Sequence, residues 1–367
     1  MLLAKAYPFL LSLFSSIQPM FTRLLHTLLT AVIALTTLTA CVTEDVAPNT
    51  RYGNFDFLWQ TLDQRYCFFD LKAKTYGLNW DEVHSRYAAR ISEKMDERQL
   101  FSVLAEMCNE LRDGHVNLVS SFNTSRYGEW YDNYPANYAD TLERIYLGRA
   151  EDYYVSGGLK FRVLADNIGY VRCPTFDTGM GDGSLNEMVR TLMVCDGLII
   201  DVRSNGGGRL TTAQKLASLF LNEPTVCGYQ QHKTGTGHND LSTPEAVVID
   251  PFVGLRWQKP VVVLTNRRTY SAANAFVMYV KGLDHVTILG DRTGGGAGLP
   301  FQTDLPNGWA IRFSACPAYD RHMRLTEEGI DPDIHQDLLP DDLQRGTDTL
   351  IEAARSLLRA HSPNETE

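Results

Sequence analysis

The second half of the chain alternates short apolar strands with helices, and this alternation most constrains the fold. The stretch GLIIDVRSNGGG is a buried strand that ends in three glycines, and the helical stretch TTAQKLASLFL follows it. The stretch VVVLTNRRTYSAANAF repeats this order, because a largely β-branched apolar run precedes a polar turn and an apolar helix. Strands that alternate with helices predict an α/β core with much parallel pairing.

The first part of the chain is predicted to be helical, because apolar residues recur there at helical spacing. Asn79 stands three residues before Glu82, and Asp96 stands three residues before Gln99, which are two capping-box signatures. The predicted organisation is a helical N-terminal domain over 53–112, a connector over 113–158, a core over 159–340, and a C-terminal helix and tail over 341–367.

Residues 1–40 have the composition of a signal peptide, with no acidic residue and the apolar run LLTAVIALTTLTA. Translation could start at Met1 or at Met20. The run ends in LTAC, which resembles a bacterial lipoprotein box, so Cys41 is expected to carry lipid and residues 41–52 to form a tether. A simple cleaved signal and a membrane anchor are the alternatives. The expected location is the cell envelope, as an outer-membrane lipoprotein that is periplasmic or surface-exposed.

Charge and cysteine spacing exclude several classes of partner. The formal net charge of −10 argues against nucleic acid and against an anionic membrane surface. Six cysteines follow Cys41, and none forms a C-x-x-C pair, so a metal site is not expected. An exported protein could pair these thiols, or they could stay free and buried.

Three turns carry groups suited to acyl transfer. Ser271 opens the helix after VVVLT, where it could be a helix cap or a nucleophile. The glycines of SNGGG offer backbone N–H groups to an oxyanion, although an ordinary glycine turn would look similar. No Gly-Lys-Ser/Thr follows them, which disfavours a phosphate site. His115, in the turn RDGHVNL, is a candidate base or a structural histidine.

Together these stretches resemble the tricorn and C-terminal-processing peptidase family, which are serine peptidases with a ClpP/crotonase-like core. The matching stretches are LRDGHVNL, GLIIDVRSNGGG, VVVLTNRRTYSAANAF, ILGDRTGGGAG, LPNGW and EEGIDPDI, in the family's order over residues 111–334. The resemblance implies that Ser271 is the nucleophile. It also implies an oxyanion hole formed by the N–H of Gly207 or Gly208 and that of Ala272.

The base distinguishes two branches of this family. C-terminal-processing members carry a lysine where this chain has Gly296, and Lys281 lies about 15 Å from Ser271 along the same helix. The tricorn-like branch uses a histidine, which His115 matches. A histidine base predicts that the acid limb of activity lies within about one unit of pH 6.5.

The tricorn-like branch also uses a late glutamate, which Glu327 matches, with Glu328 as the competitor. The serine that precedes the histidine in that branch is replaced here by Gly114. Family members often carry a peptide-binding PDZ domain after the histidine turn. Only about fifty residues separate His115 from the next core strand, too few for such a domain.

The expected function is an exported serine peptidase that cleaves peptides or unfolded protein segments, without metal or cofactor. The alternative is a non-catalytic lipoprotein that binds peptides or lipophilic ligands on the same scaffold, because a fold does not fix a function.

Overall fold

The structure is a computed structural model that describes residues 47–360. From Asn49 onward these residues belong to one unit. The predicted signal peptide and Cys41 lie outside the described residues. Within the described range, no helix is both long and apolar enough to cross a membrane.

Helices form the start of the described chain, as predicted. They are α1 (Arg51–Arg65), α2 (Phe69–Tyr76), α3 (Trp80–Ala88) and α4 (Glu97–Asn109). The Asn79 side chain accepts a hydrogen bond from the Glu82 N–H at the start of α3. Asp96 and Gln99 complete a reciprocal capping box at the start of α4. Both predicted caps are confirmed, and the apolar faces of these helices share one core with the buried side of a later hairpin.

The connector contains short elements that the sequence did not reveal. They are β1 (Asn117–Val119), α5 (Glu129–Asp132), α6 (Asp140–Leu147) and β2 (Tyr154–Ser156).

The remaining elements alternate strands and helices. They are β3 (Leu159–Val163), β4 (Ile168–Arg172), α7 (Asp182–Leu192), β5 (Gly197–Asp201), α8 (Leu210–Ser218), β6 (Thr225–Gln230), β7 (Glu245–Ile249), β8 (Val261–Thr265), α9 (Ala272–Val280), β9 (Val286–Gly290), β10 (Gly298–Asp304), β11 (Ala310–Tyr319), β12 (Ile334–His335), α10 (Pro340–Gln344) and α11 (Thr349–Ala360).

The larger sheet has seven strands in the order β12-β9-β8-β5-β4-β3-β2. Pairing is parallel from β12 to β4 and antiparallel from β4 to β2. Leu198 and Ile200 of β5 pack into the core under α7, α8 and α9, whereas Ile199 packs against α11 on the other face. Burial on both faces explains why these strands are continuous apolar runs.

The smaller sheet joins the helical region to the core. Its order is β1-β11-β6-β7, with β10 paired to β11 in an antiparallel hairpin. β1 pairs with β11 so that Leu118 lies opposite Ile311. His115 stands two residues before the start of β1, and this pairing carries it toward the core. The prediction of a mixed α/β core preceded by a helical region is confirmed.

Candidate active site

The site lies at the carboxyl edge of the larger sheet, where the turns after β5, β8 and β9 meet. Neighbouring parallel strands end at the same edge, which brings their following loops together. The turn after β8 joins both neighbours through its backbone. Tyr270 N–H donates to the Asn205 carbonyl at 3.0 Å, and Ser271 N–H donates to the Gly295 carbonyl at 2.8 Å.

Ser271 has a backbone conformation that a capping serine does not need. Its φ is 57° and its ψ is −121°, whereas an N-cap residue normally lies in the β region. Its side chain makes no hydrogen bond to the first turn of α9. A positive φ at a non-glycine residue is strained and is typical of a nucleophile held on a strand-to-helix turn. The side chain of Ser271 is therefore not a helix cap.

The structure brings His115 to Ser271. His115 Nε2 lies 3.0 Å from Ser271 Oγ, and the histidine is buried. The turn that holds it is closed by Asp113, whose Oδ1 accepts the His115 backbone N–H at 2.7 Å. Asp113 Oδ2 in turn accepts the Ser314 hydroxyl of β11 at 2.8 Å. The two sheets thus fix the histidine turn against the turn that carries the serine.

Asp113 is a residue of the site that the sequence analysis missed. It is buried, and its charge is the main influence that favours the protonated form of His115. The available signal was its position two residues before the histidine, because aspartate side chains often accept the backbone N–H two residues later. That pattern alone does not show that the same carboxylate also lies near the imidazole.

Burial lowers the pKa of His115 to about 4, while the charge of Asp113 and the Gly298 carbonyl oppose this and Arg312 reinforces it. The expectation of an acid limb near pH 6.5 is therefore corrected downward, because the sequence did not show how deeply the ring lies. His115 Nδ1 is buried and has no partner with hydrogen-bond geometry among the described residues. The neutral imidazole is the form present near pH 7.

Glu327 is close to the site, but its carboxylate does not form a hydrogen bond with His115. Its Oε2 accepts the Ala297 N–H at 2.8 Å, and its carbonyl accepts the Gly296 N–H at 3.0 Å. Burial and then the charge of Asp113 raise its pKa well above the usual range. Glu327 thus supports the glycine turn, and its role toward the imidazole stays a prediction.

The competing residue, Glu328, faces a different direction. It is half-buried, and its Oε1 accepts the Tyr76 hydroxyl of α2 at 3.3 Å.

The predicted oxyanion donors are not equivalent. Gly207 N–H donates to Asn205 Oδ1 at 2.9 Å, so it is already satisfied. Gly208 N–H and Ala272 N–H have no acceptor within the described part of the chain. Gly207 instead provides space, because a Cβ there would lie 2.8 Å from the Ser271 Cβ.

The lysine position of the other branch is filled here by an aromatic ring. A Cβ at Gly296 would lie 2.4 Å from the Tyr270 ring, which is stacked on Trp130 at a centroid distance of 4.2 Å. Lys281 stands at the far end of α9 and forms an ion pair with Asp333. Neither position offers a lysine to Ser271.

A cavity of about 320 Å³ opens beside Ser271. Its apolar wall includes Leu210, Val247, Ala275 and Met278. In residues 47–360 no group of three or more His, Cys, Asp or Glu is arranged to hold a metal ion. The six cysteines of this range are all free thiols.

Two sequence profiles match the chain. "Peptidase family S41" matches residues 167–336, and "Tricorn protease C1 domain" matches residues 47–109.

Similar proteins include peptidases of known type. The tricorn protease of Thermoplasma volcanium is 27% identical over 319 residues, which are 85% of this chain and 26% of that protein. The chloroplastic C-terminal processing peptidase of Tetradesmus obliquus is 26% identical over 187 residues, which are 48% of this chain and 37% of that protein. The chain thus spans well under half the length of these curated relatives.

A crystal structure of a candidate peptidase from Parabacteroides merdae ATCC 43184 is similar over nearly its whole length. It is 46% identical, with a TM-score of 0.80, and the alignment covers 85% of this chain and 97% of that one.

Proposed function

The chain belongs to peptidase family S41, and we propose that it hydrolyses peptide bonds with Ser271 as nucleophile and His115 as general base. Membership of this family of serine peptidases confirms the predicted resemblance to tricorn and C-terminal-processing peptidases, and with it the ClpP/crotonase-like fold. The observation that carries the proposal is the 3.0 Å contact between His115 Nε2 and the hydroxyl of the strained Ser271.

The proposed reaction is a two-step acyl transfer. Ser271 Oγ attacks the peptide carbonyl while His115 Nε2 accepts its proton. The imidazolium then donates that proton to the leaving amine, and the C–N bond breaks to give an acyl-serine. Water, deprotonated by the same imidazole, hydrolyses the ester and restores Ser271. The negative charge of Asp113 stabilises the imidazolium in both steps.

The oxyanion of each tetrahedral intermediate is proposed to bind the N–H groups of Gly208 and Ala272. Neither donor has an acceptor among residues 47–360, whereas the N–H of Gly207 is bonded to Asn205. Ala272 is the first residue of α9, so the positive end of the helix dipole adds to the stabilisation. Such a donor contributes about 3 kcal/mol to the transition state.

The proposed substrates are peptides or unfolded segments, and the shape of the site supports this proposal. A scissile bond must reach a half-buried serine and a buried histidine, which a folded surface cannot present. The apolar wall of the cavity suits an apolar side chain on the residue before the scissile bond.

Export and lipid attachment form a separate part of the proposal. The support is the sequence LTAC at the end of the apolar run, which would place lipid on Cys41 and the protein in the outer membrane. Mass spectrometry of the mature N-terminus from the native host tests it. An unmodified N-terminus downstream of Cys41 would contradict it.

The test of the chemistry is Ser271→Ala, with Lys281→Ala as the control variant. We expect the wild type and Lys281→Ala to react with a fluorophosphonate and to hydrolyse peptides. Ser271→Ala should lose the label and reduce kcat by about three orders of magnitude or more. Its melting temperature should stay close to wild type, because the serine side chain makes no capping hydrogen bond.

The same experiment addresses the alternative of a peptide- or lipophile-binding protein. If Ser271→Ala kept peptide hydrolysis within about tenfold of wild type, the serine would not be the nucleophile. A wild type that binds peptide but neither reacts with fluorophosphonate nor hydrolyses it would favour the binding protein.

A further inference from the structure

Arg312 is a cation at the cavity that has no ion-pair partner among the described residues. Side chains of β11 alternate, so Ile311 and Phe313 enter the helical core while Arg312 lines the cavity beside the nucleophile. Its cross-strand partners, Asn117 on β1 and Gln302 on β10, are both neutral. Within the described part of the chain, its guanidinium forms neither an ion pair nor a hydrogen bond.

An unpaired cation in a partly apolar cavity suggests that its counter-charge is a group on the bound ligand. Arg312 is half-buried, and a charge withdrawn from water is costly unless it is paired. Among the described residues that line the cavity, the charged ones are Arg209 and Arg312, and none is a carboxylate. The cavity therefore favours an anionic group on the ligand.

The position of Arg312 shows which part of a substrate it would meet. His115 must protonate the leaving amine, so the leaving fragment extends on the histidine side of Ser271. Arg312 lies on that side, because it pairs across the sheet with Asn117, two residues after His115. Its charge accordingly lowers the pKa of the imidazole. Arg209 instead follows the oxyanion donor Gly208 and is exposed.

We propose that Arg312 binds a carboxylate on the leaving fragment and so determines which peptide bonds are cleaved. The inference rests on the proposed function, because the acyl-transfer geometry is what places the leaving fragment of the substrate on the histidine side of Ser271. The carboxylate has two possible sources, the free C-terminus of a peptide cut close to its end or an acidic side chain just after the scissile bond. A guanidinium binds either one through the same paired N–H donors.

Four peptides with the same residues before the scissile bond separate these sources. One pair has a single residue after that bond and ends in a free acid or an amide. The other pair is longer and amidated, with Glu or Gln directly after the bond. Wild type should cleave the charged member of at least one pair about tenfold faster in kcat/KM. The pair that shows this preference identifies the source of the carboxylate.

Three variants connect the preference to Arg312. Arg312→Gln should remove it, Arg312→Lys should keep part of it because the charge stays, and Arg209→Gln should retain it. Melting curves and the affinity of the same peptides for each variant in a Ser271→Ala background check that the fold and the cleft remain. If Arg312→Gln does not fold, the partial loss of the preference in Arg312→Lys still tests the role of Arg312.

The outcomes separate this inference from the proposed function. Equal cleavage within both pairs, a preference that survives Arg312→Gln, or one lost in Arg209→Gln would each overturn the role of Arg312. In those cases hydrolysis and fluorophosphonate labelling would still support the peptidase. Absence of hydrolysis and of labelling in wild type would overturn the proposed function itself.

Discussion

Ser271 and Gly207 show, at the scale of single residues, how the site keeps a strained conformation. A non-glycine residue in such a conformation costs of order 1–3 kcal/mol, which the surrounding loops must offset. Gly207 has a φ of 103°, and its missing side chain leaves the space that the serine occupies. The requirement for glycine at 207 is thus steric, whereas the free N–H of Gly208 suits the oxyanion.

Neighbouring glycines provide a matched test of this steric role. Gly207→Ala would place a Cβ 2.8 Å from the Ser271 Cβ and from the Tyr270 carbonyl, so we expect kcat/KM to fall about a hundredfold or more. Gly206→Ala meets open space, so its effect should be at least about tenfold smaller. Similar losses in both variants would show that the turn needs flexibility rather than space.

The pH profile tests the environment of the base. Because burial lowers the pKa of His115 to about 4, kcat/KM of the free enzyme should fall only as pH drops through about 4. The charge of Asp113 raises this pKa, so Asp113→Asn should move the acid limb to still lower pH. A limb that stays near pH 6.5 in both proteins would contradict a buried histidine base.

At the scale of elements, the sequence predicted what local pattern controls. The apolar runs of β5 and β8 follow from periodicity, and the two helix caps follow from their capping residues. Pairing of β1 with β11 could not be predicted in this way, because the two strands are almost two hundred residues apart. That pairing decides where His115 lies. The burial of the imidazole and its low pKa therefore could not be predicted from the sequence either.

An ion network attaches the last helix to the catalytic edge. Arg203, just after β5, lies 2.7 Å from Asp201 and 2.9 Å from Asp348 at the start of α11, and all three are buried. Asp201 keeps a pKa below its usual range, with Arg203 and Arg172 opposing the effect of burial. This network lies next to the turn that carries Gly208, a proposed oxyanion donor.

Removing one carboxylate of this ion network should therefore lower the stability of the fold. Asp348→Ala leaves Arg203 with less compensation, so the free energy of unfolding should fall by about 3–5 kcal/mol in urea denaturation. Asp341→Ala, at an exposed position in α10, should change it by about 0.5 kcal/mol or less. Equal stability of the two variants would show that the network is not coupled to the fold.

At the scale of the whole molecule, the site exists only because separate parts of the chain meet. Ser271 comes from a core loop, His115 from the connector after the helical region, and Glu327 from a loop near the end. The sequence nominated all three through resemblance, and their roles stay predictions. It could not supply their mutual distances, nor the effect of the Asp113 charge on the imidazole, because these depend on how the two sheets pack.

This assembly should make global stability depend on pH through His115. Unfolded histidine has a pKa near 6.5, whereas the folded value is about 4, so the unfolded state binds more protons between these values. The contribution of His115 to stability is therefore complete above about pH 6.5 and is lost as pH falls toward 4. Glu327 acts in the opposite direction, because its raised pKa lets the folded state hold a proton longer as pH rises.

A difference measurement isolates the histidine, because Glu327 and the other titrating groups are common to both proteins. Urea denaturation of wild type and His115→Gln should be compared at several pH values from 7 to 4. Wild type should lose more unfolding free energy than the variant over this interval, and the gap should open below about pH 6.5. Parallel curves would mean that His115 has the same pKa in the folded and unfolded proteins. The lowered pKa of the buried imidazole would then be contradicted.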